Sequence, residues 1–179
     1  MRAVAAAGHE VGSHTTTHAR LAGAGATADG YDLVAPHPEG AGGARAMVAA
    51  GDLGTVRLVQ AEYAQDWLTE ESDSKGATWR TDPAKSGAGA IGDIGTHAYN
   101  LAAFVAGQEP SQLAADLTSF VPGRRVDDNA HIMLRYEGGA KGMLWVSQVA
   151  PGHENTVRLR VFGDKGGLDW SQEDPNRLW

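Results

Sequence analysis

A chain of 179 residues, 42% apolar and 21% charged, falls among globular proteins large enough to bury one sizeable core. Its formal net charge of -7, with no cluster of Lys and Arg, argues against nucleic acid and anionic membrane surfaces as partners. Cysteine is missing, which excludes disulfides and thiolate chemistry and means that any metal would need His, Asp or Glu.

The start MRAVAAAGHE turns polar too soon for a secretory signal, and no later apolar run could span a bilayer, so a cytoplasmic protein is expected. Residues 1–43 are rich in Ala, Gly, His and Thr and offer little to pack; they are expected to form an irregular arm, truncated or chimeric. Residues 44–179 form the main unit. A short helix is predicted over residues 44–50, ended by Gly51 in the left-handed position that follows a helix.

Residues 55–67 (TVRLVQAEYAQDW) are β-branched and aromatic and predict a long strand, followed by a polar loop over residues 69–85 that contains Trp79 and Arg80. Four more strands are predicted. Ile132, Leu134 and Tyr136 alternate on one face, and Val157, Leu159 and Val161 oppose Arg158 and Arg160, the pattern of a sheet with one covered side. Gly138-Gly139 and Asp164-Lys165-Gly166-Gly167 are short hairpin connections, which require antiparallel neighbours. Between the first strand and these hairpins a strong helix is predicted over residues 94–106, with Ile94, Ala98, Leu101, Ala102 and Val105 on one stripe. The expected class is α+β: an open, mainly antiparallel sheet with helices on one face.

The helix is entered through SGAGAIGDIGTHAYN, residues 86–100. Asp93 stands at the expected N-cap, His97 follows four positions later, and Asn100 continues a polar stripe beside the apolar face. Oxidising an alcohol to a ketone removes a proton from oxygen as well as a hydride from carbon, and a neutral imidazole is suited to take that proton near neutrality. His97 is the candidate base. On spacing alone, a helix-capping Asp93 and an ordinary half-exposed His97 are the simpler reading, because a D-x-x-x-H spacing on a helix is common.

The string GAIGDIGTHAYNLAAFVAG, preceded by WRTDP and followed by DDNAHIMLRYEGGAKGMLW and RLRVFGDKGGLDW, resembles the second domain of the Gfo/Idh/MocA oxidoreductases over roughly residues 44–179. The resemblance implies that Asp93 and His97 are catalytic and that Trp79, Arg80 and Asp82 lie on the substrate side. Asn100 and Asp128 join the substrate-binding candidates, although Asp127, Asp128 and Asn129 are also ordinary turn residues. It further implies NAD or NADP as cofactor, a sugar, inositol or similar polyol as substrate, and homo-oligomers built through the sheet. The family's Rossmann domain and its Lys-Pro element find no counterpart. Gly23 and Gly25 in GAGATADG have a G-x-G-x-x-A spacing without an apolar strand before it, and read as accidental.

A second resemblance points elsewhere. AAGHEVGSHTTTHARL is similar to the second metal-binding motif of NodB-like polysaccharide deacetylases, in which His14 and His18 would share a divalent metal. The upstream carboxylate of that motif has no counterpart, and no metal is expected for the oxidoreductase reading. A third alternative is a non-catalytic sheet that serves oligomerisation.

Overall fold

A computed structural model describes residues 41–176 and 178, together with the short strands β1 (Thr27–Ala28) and β2 (Tyr31–Asp32), which pair antiparallel. The expectations resting on His14, His18, Gly23 and Gly25 lie outside the described residues.

Six strands form one sheet: β3 (Val56–Ala64), β4 (Pro110–Thr118), β5 (Asn129–Tyr136), β6 (Lys141–Ser147), β7 (Thr156–Gly163) and β8 (Gly167–Ser171), in the order β4-β5-β6-β3-β7-β8. Four of its pairings are antiparallel; β3 and β6 run parallel, with Ala61 opposite Leu144. The predicted alternation holds in space. Ala130, Ile132, Leu134 and Tyr136 of β5 are buried while His131, Met133 and Arg135 are exposed, and Val157, Leu159 and Val161 of β7 face the same core.

The covered face carries two helices, α1 (Ala41–Ala50) and α4 (Thr96–Ala106). α4 lies across β3, β6 and β7, and α1 packs against α4 and β8. Ala98, Leu101, Ala102 and Val105 of α4 are all buried, as their spacing requires. Removing side chains such as Leu101 and Val105 from water contributes about 1.5–3 kcal/mol each. Gly107, at φ 69°, terminates α4 in the left-handed conformation that glycine adopts without steric cost.

Two stretches differ from the sequence expectation. Where a loop is predicted over residues 69–85, the chain forms two short helices, α2 (Lys75–Arg80) and α3 (Pro83–Ser86), the second ending one residue beyond that range. Caps define them: the hydroxyl of Ser74 accepts from Ala77 N, and the carboxylate of Asp82 accepts from Ala84 N, with Pro83 in the first turn. Helices this short show no apolar periodicity. Strand β4 was not predicted either. Its sequence PSQLAADLT has no aromatic residue and only Thr118 as a β-branched one, and it survives as an exposed edge paired with β5 alone.

Candidate active site

The chemistry-bearing residues meet beyond the C-terminal ends of the parallel pair β3 and β6. There the chain following β3 stays bound to the chain following β6: Gln65 N donates to Ser147 O at 2.8 Å, and Ala150 N donates to Gln65 O at 2.9 Å. These bonds fix where Tyr63, Gln65 and Trp67 stand relative to Gln148.

Asp93 sits within a π-helical turn, Ile91–Gly95, that runs directly into α4. It is therefore not the helix cap, and that expectation is corrected. The cap comes from across the fold. Asp127 accepts from Gly89 N at 3.0 Å and Ile91 N at 2.7 Å through its carboxylate, and from Ala90 N at 2.8 Å through its carbonyl. Burial raises the Asp127 carboxyl above the usual aspartate range, outweighing the opposing hydrogen bonds from Ile91 and Gly89. Gly89 is required beside it, because a Cβ at that position would lie 1.8 Å from Asp127 O.

Released from capping, Asp93 is gripped from two sides. Its Oδ2 accepts from Arg80 Nε at 2.8 Å and from Gln148 Nε2 at 2.7 Å. Its side chain is 11% exposed and that of Arg80 is 21% exposed, so both charges are largely withdrawn from solvent. The Arg80 guanidinium also lies over the rings of Trp79 and Trp67, at 4.7 and 5.6 Å from their centroids. Four positions after Asp93, across the junction of π turn and α-helix, His97 is only 8% exposed rather than half-exposed. Its ring meets that of Tyr63 edge to face, with centroids 6.2 Å apart.

Polar side chains continue between these two groups. Gln148 Nε2 also lies 3.5 Å from Gln65 Oε1, which accepts from Trp67 Nε1 at 2.8 Å. Gln65 Nε2 and Tyr63 OH both donate to Asn155 Oδ1, at 2.7 and 2.8 Å. Tyr63, Gln65, Gln148 and Asn155 escaped the sequence reading. They come from three separate strand ends, and no local spacing marks them.

The remaining candidates divide. Asn100, one turn beyond His97, has a buried Oδ1 with no hydrogen-bond partner among the described residues. Asp128 is a correction: it is buried, and its oxygens accept from Phe120 N, Val121 N and Arg124 Nη1, so it clamps the loop after β4 instead of facing a substrate hydroxyl. Asp82 caps α3 and pairs with Lys85 and Arg125. Among the described residues no group of three or more His, Asp or Glu side chains could hold a metal ion. A shallow cavity of about 380 Å³ lined by Leu113, Met133 and Lys141 lies at the opposite end of β6 and contains none of these residues.

Residues 43–169 match the model of the GFO/IDH/MocA C-terminal domain. An oxidoreductase of Bacillus subtilis, YfiI, is 34% identical over 140 residues, which cover 75% of this chain and 36% of the relative. Among solved structures, an oxidoreductase from Sinorhizobium meliloti is 56% identical with a TM-score of 0.66, over 76% of this chain and 35% of its own. An inositol dehydrogenase homologue from Azotobacter vinelandii, complexed with NADH and myo-inositol, is 34% identical with a TM-score of 0.68, over 75% of this chain and 35% of its own. Fold and sequence thus define a C-terminal domain of the GFO/IDH/MocA type. The chain belongs to the Gfo/Idh/MocA family, and it spans about a third of the length of the relatives it matches. Among the described residues no helix is long and apolar enough to cross a membrane.

Proposed function

We propose that this chain is the substrate side of a cytoplasmic NAD(P)-dependent oxidoreductase that oxidises a CH–OH group of a sugar, inositol or similar polyol. His97 accepts the hydroxyl proton and Asp93 orients it. The observation that carries this reading is the convergence of Arg80 and Gln148 on one oxygen of Asp93, one helical turn before a buried histidine. Formation of the carbonyl releases one proton and one hydride, and the imidazole is the group suited to the proton near neutrality. The myo-inositol bound by the Azotobacter vinelandii relative supports a polyol. Arg80, Trp79 and Asn100 are proposed to meet the substrate beside the pair.

The described residues do not fit the phosphates of a dinucleotide. A pyrophosphate needs free N–H groups at a glycine-rich helix entry. The entry at Gly89, Ala90 and Ile91 already donates to Asp127. We therefore assign this chain the proton half of the reaction and no step through the cofactor. Fusion to the Rossmann domain of a close relative, followed by assay of a polyol panel with NAD and NADP, tests the proposal. Oxidation of at least one polyol is expected; a fusion that binds NADH yet oxidises none refutes it.

A second reading, assembly through the sheet, rests on the face that the helices leave uncovered. Met133, Met143, Leu58 and Phe162 share that face, and Met133 is 68% exposed. Exposed apolar side chains of this kind on an open sheet favour a second copy as their cover.

A further inference from the structure

We infer that Gln148 is a positioning residue for the Asp93–His97 pair, and that Trp67 fixes the sense in which it works. This rests on the proposed roles of Asp93 and His97 and extends them to residues outside the helix.

The argument is one of hydrogen-bond polarity. An indole N–H can only donate, so Trp67 Nε1 forces the neighbouring oxygen of Gln65 to be its acceptor. With Oε1 of Gln65 turned to Trp67, its amide nitrogen faces Asn155 Oδ1, which also receives the Tyr63 hydroxyl. The same Oε1 faces Gln148, so Gln148 must present its nitrogen there. That nitrogen then donates to Asp93 Oδ2. A flipped Gln148 would set a carbonyl oxygen against both Gln65 Oε1 and the carboxylate. At 2% exposure, water cannot relieve that repulsion. Donation from Trp67 and from Gln148 thus converges on Gln65 Oε1, while the same Gln148 nitrogen donates outward to Asp93 Oδ2, and the branch through Asn155 and Tyr63 reaches the ring of His97.

The consequence is electrostatic as well as geometric. The positive end of the Gln148 amide lies against Asp93 and offsets part of the field the carboxylate exerts on His97. Among the described residues, Arg80 from α2 pairs with Asp93 and Tyr63 from β3 meets the ring of His97. Loss of the Gln148 donor leaves Arg80 in place and lets Asp93 stabilise imidazolium more strongly.

The test is an NMR titration of the His97 ring in the full chain labelled at histidine, with its signal assigned by His97→Gln. Gln148→Met, close in volume and unable to donate, should raise the midpoint of the His97 titration by about half a pH unit or more. The rise should vanish when Gln148→Met is made in an Asp93→Asn background. Trp67→Phe, a partly exposed site where folding is safe, removes the donor that orders Gln65 and should move the midpoint in the same direction by less. If Gln148→Met does not fold, Trp67→Phe alone decides. An unmoved midpoint in the folded variants, or an equal shift with and without Asp93, overturns the inference. Failure of the oxidoreductase reading would show instead as unchanged turnover of the fused enzyme after His97→Ala, a result the titration does not share.

Discussion

Arg80 Nε donates to Asp93 Oδ2 at 2.8 Å, joining the last residue of a six-residue helix to the π turn that leads into α4. The guanidinium lies over the rings of Trp67 and Trp79, which restrict its freedom to turn away from Asp93. Arg80→Met should destabilise the fold by about 1.5–3 kcal/mol, the usual worth of a hydrogen bond to a charged group. Arg80→Lys should recover less than half of that, because an ammonium cannot stack as the planar fork does. Urea unfolding of the three proteins measures both differences.

In the fused enzyme, His97→Ala should lower turnover by about 10²–10⁴-fold, the contribution of a positioned acid or base. Asp93→Asn should cost less. An asparagine oxygen can still receive Gln148, but it offers Arg80 no charge. Steady-state rates across pH on a substrate polyol check this, with the limb near neutrality disappearing in the His97 variant. Unchanged rates in both variants would return the helix to a purely structural role.

Gly89→Ala should be among the most damaging single changes on this chain. The added carbon would meet a backbone oxygen of Asp127 at 1.8 Å, which cannot swing aside as a side chain would. A loss of about 3 kcal/mol or more is expected, together with loosening of α4. Hydrogen exchange at the amides of α4, compared with those of β7, would show whether the damage is local to the helix.

Asp127→Asn tests the same clamp through pH. A carboxyl raised by burial favours the fold most below the ordinary aspartate value, and this contribution is lost as pH rises from there through the raised value. Asparagine does not ionise, so the variant should gain ground on the wild type across that window. Denaturation midpoints collected at several pH values give the difference directly; a gap that widens as pH rises would contradict the assignment.

The uncovered sheet face predicts self-association, and light scattering at tens of micromolar should report a dimer or larger species. Met133→Lys combined with Met143→Lys should shift it toward monomer, since the two methionines face each other across β5 and β6. A monomeric wild type would remove the oligomerisation reading.

How much of this was legible beforehand follows from the range of each interaction. The alternation of Ile132, Leu134 and Tyr136 and the stripe from Ile94 to Val105 are set by burial of nearby residues, and a periodic string records that. β4 was not legible, because an exposed edge strand buries too little to leave a pattern. The helices α2 and α3 were missed because single caps define them.

At the site, the helix carrying Asp93 and His97 was readable from consecutive residues, since one turn brings positions four apart together. Which groups hold Asp93 was not readable. Arg80 and Gln148 stand 13 and 55 positions away in sequence, and Asp127, which takes over the cap, stands 36 positions from Ile91. A hydrogen bond acts over about three ångströms regardless of chain separation. Residue order could therefore determine the helix and its candidate base, whereas the partners of Asp93 were chosen by the tertiary fold, in which the end of β6 brings Gln148 and helix α2 brings Arg80 to one carboxylate.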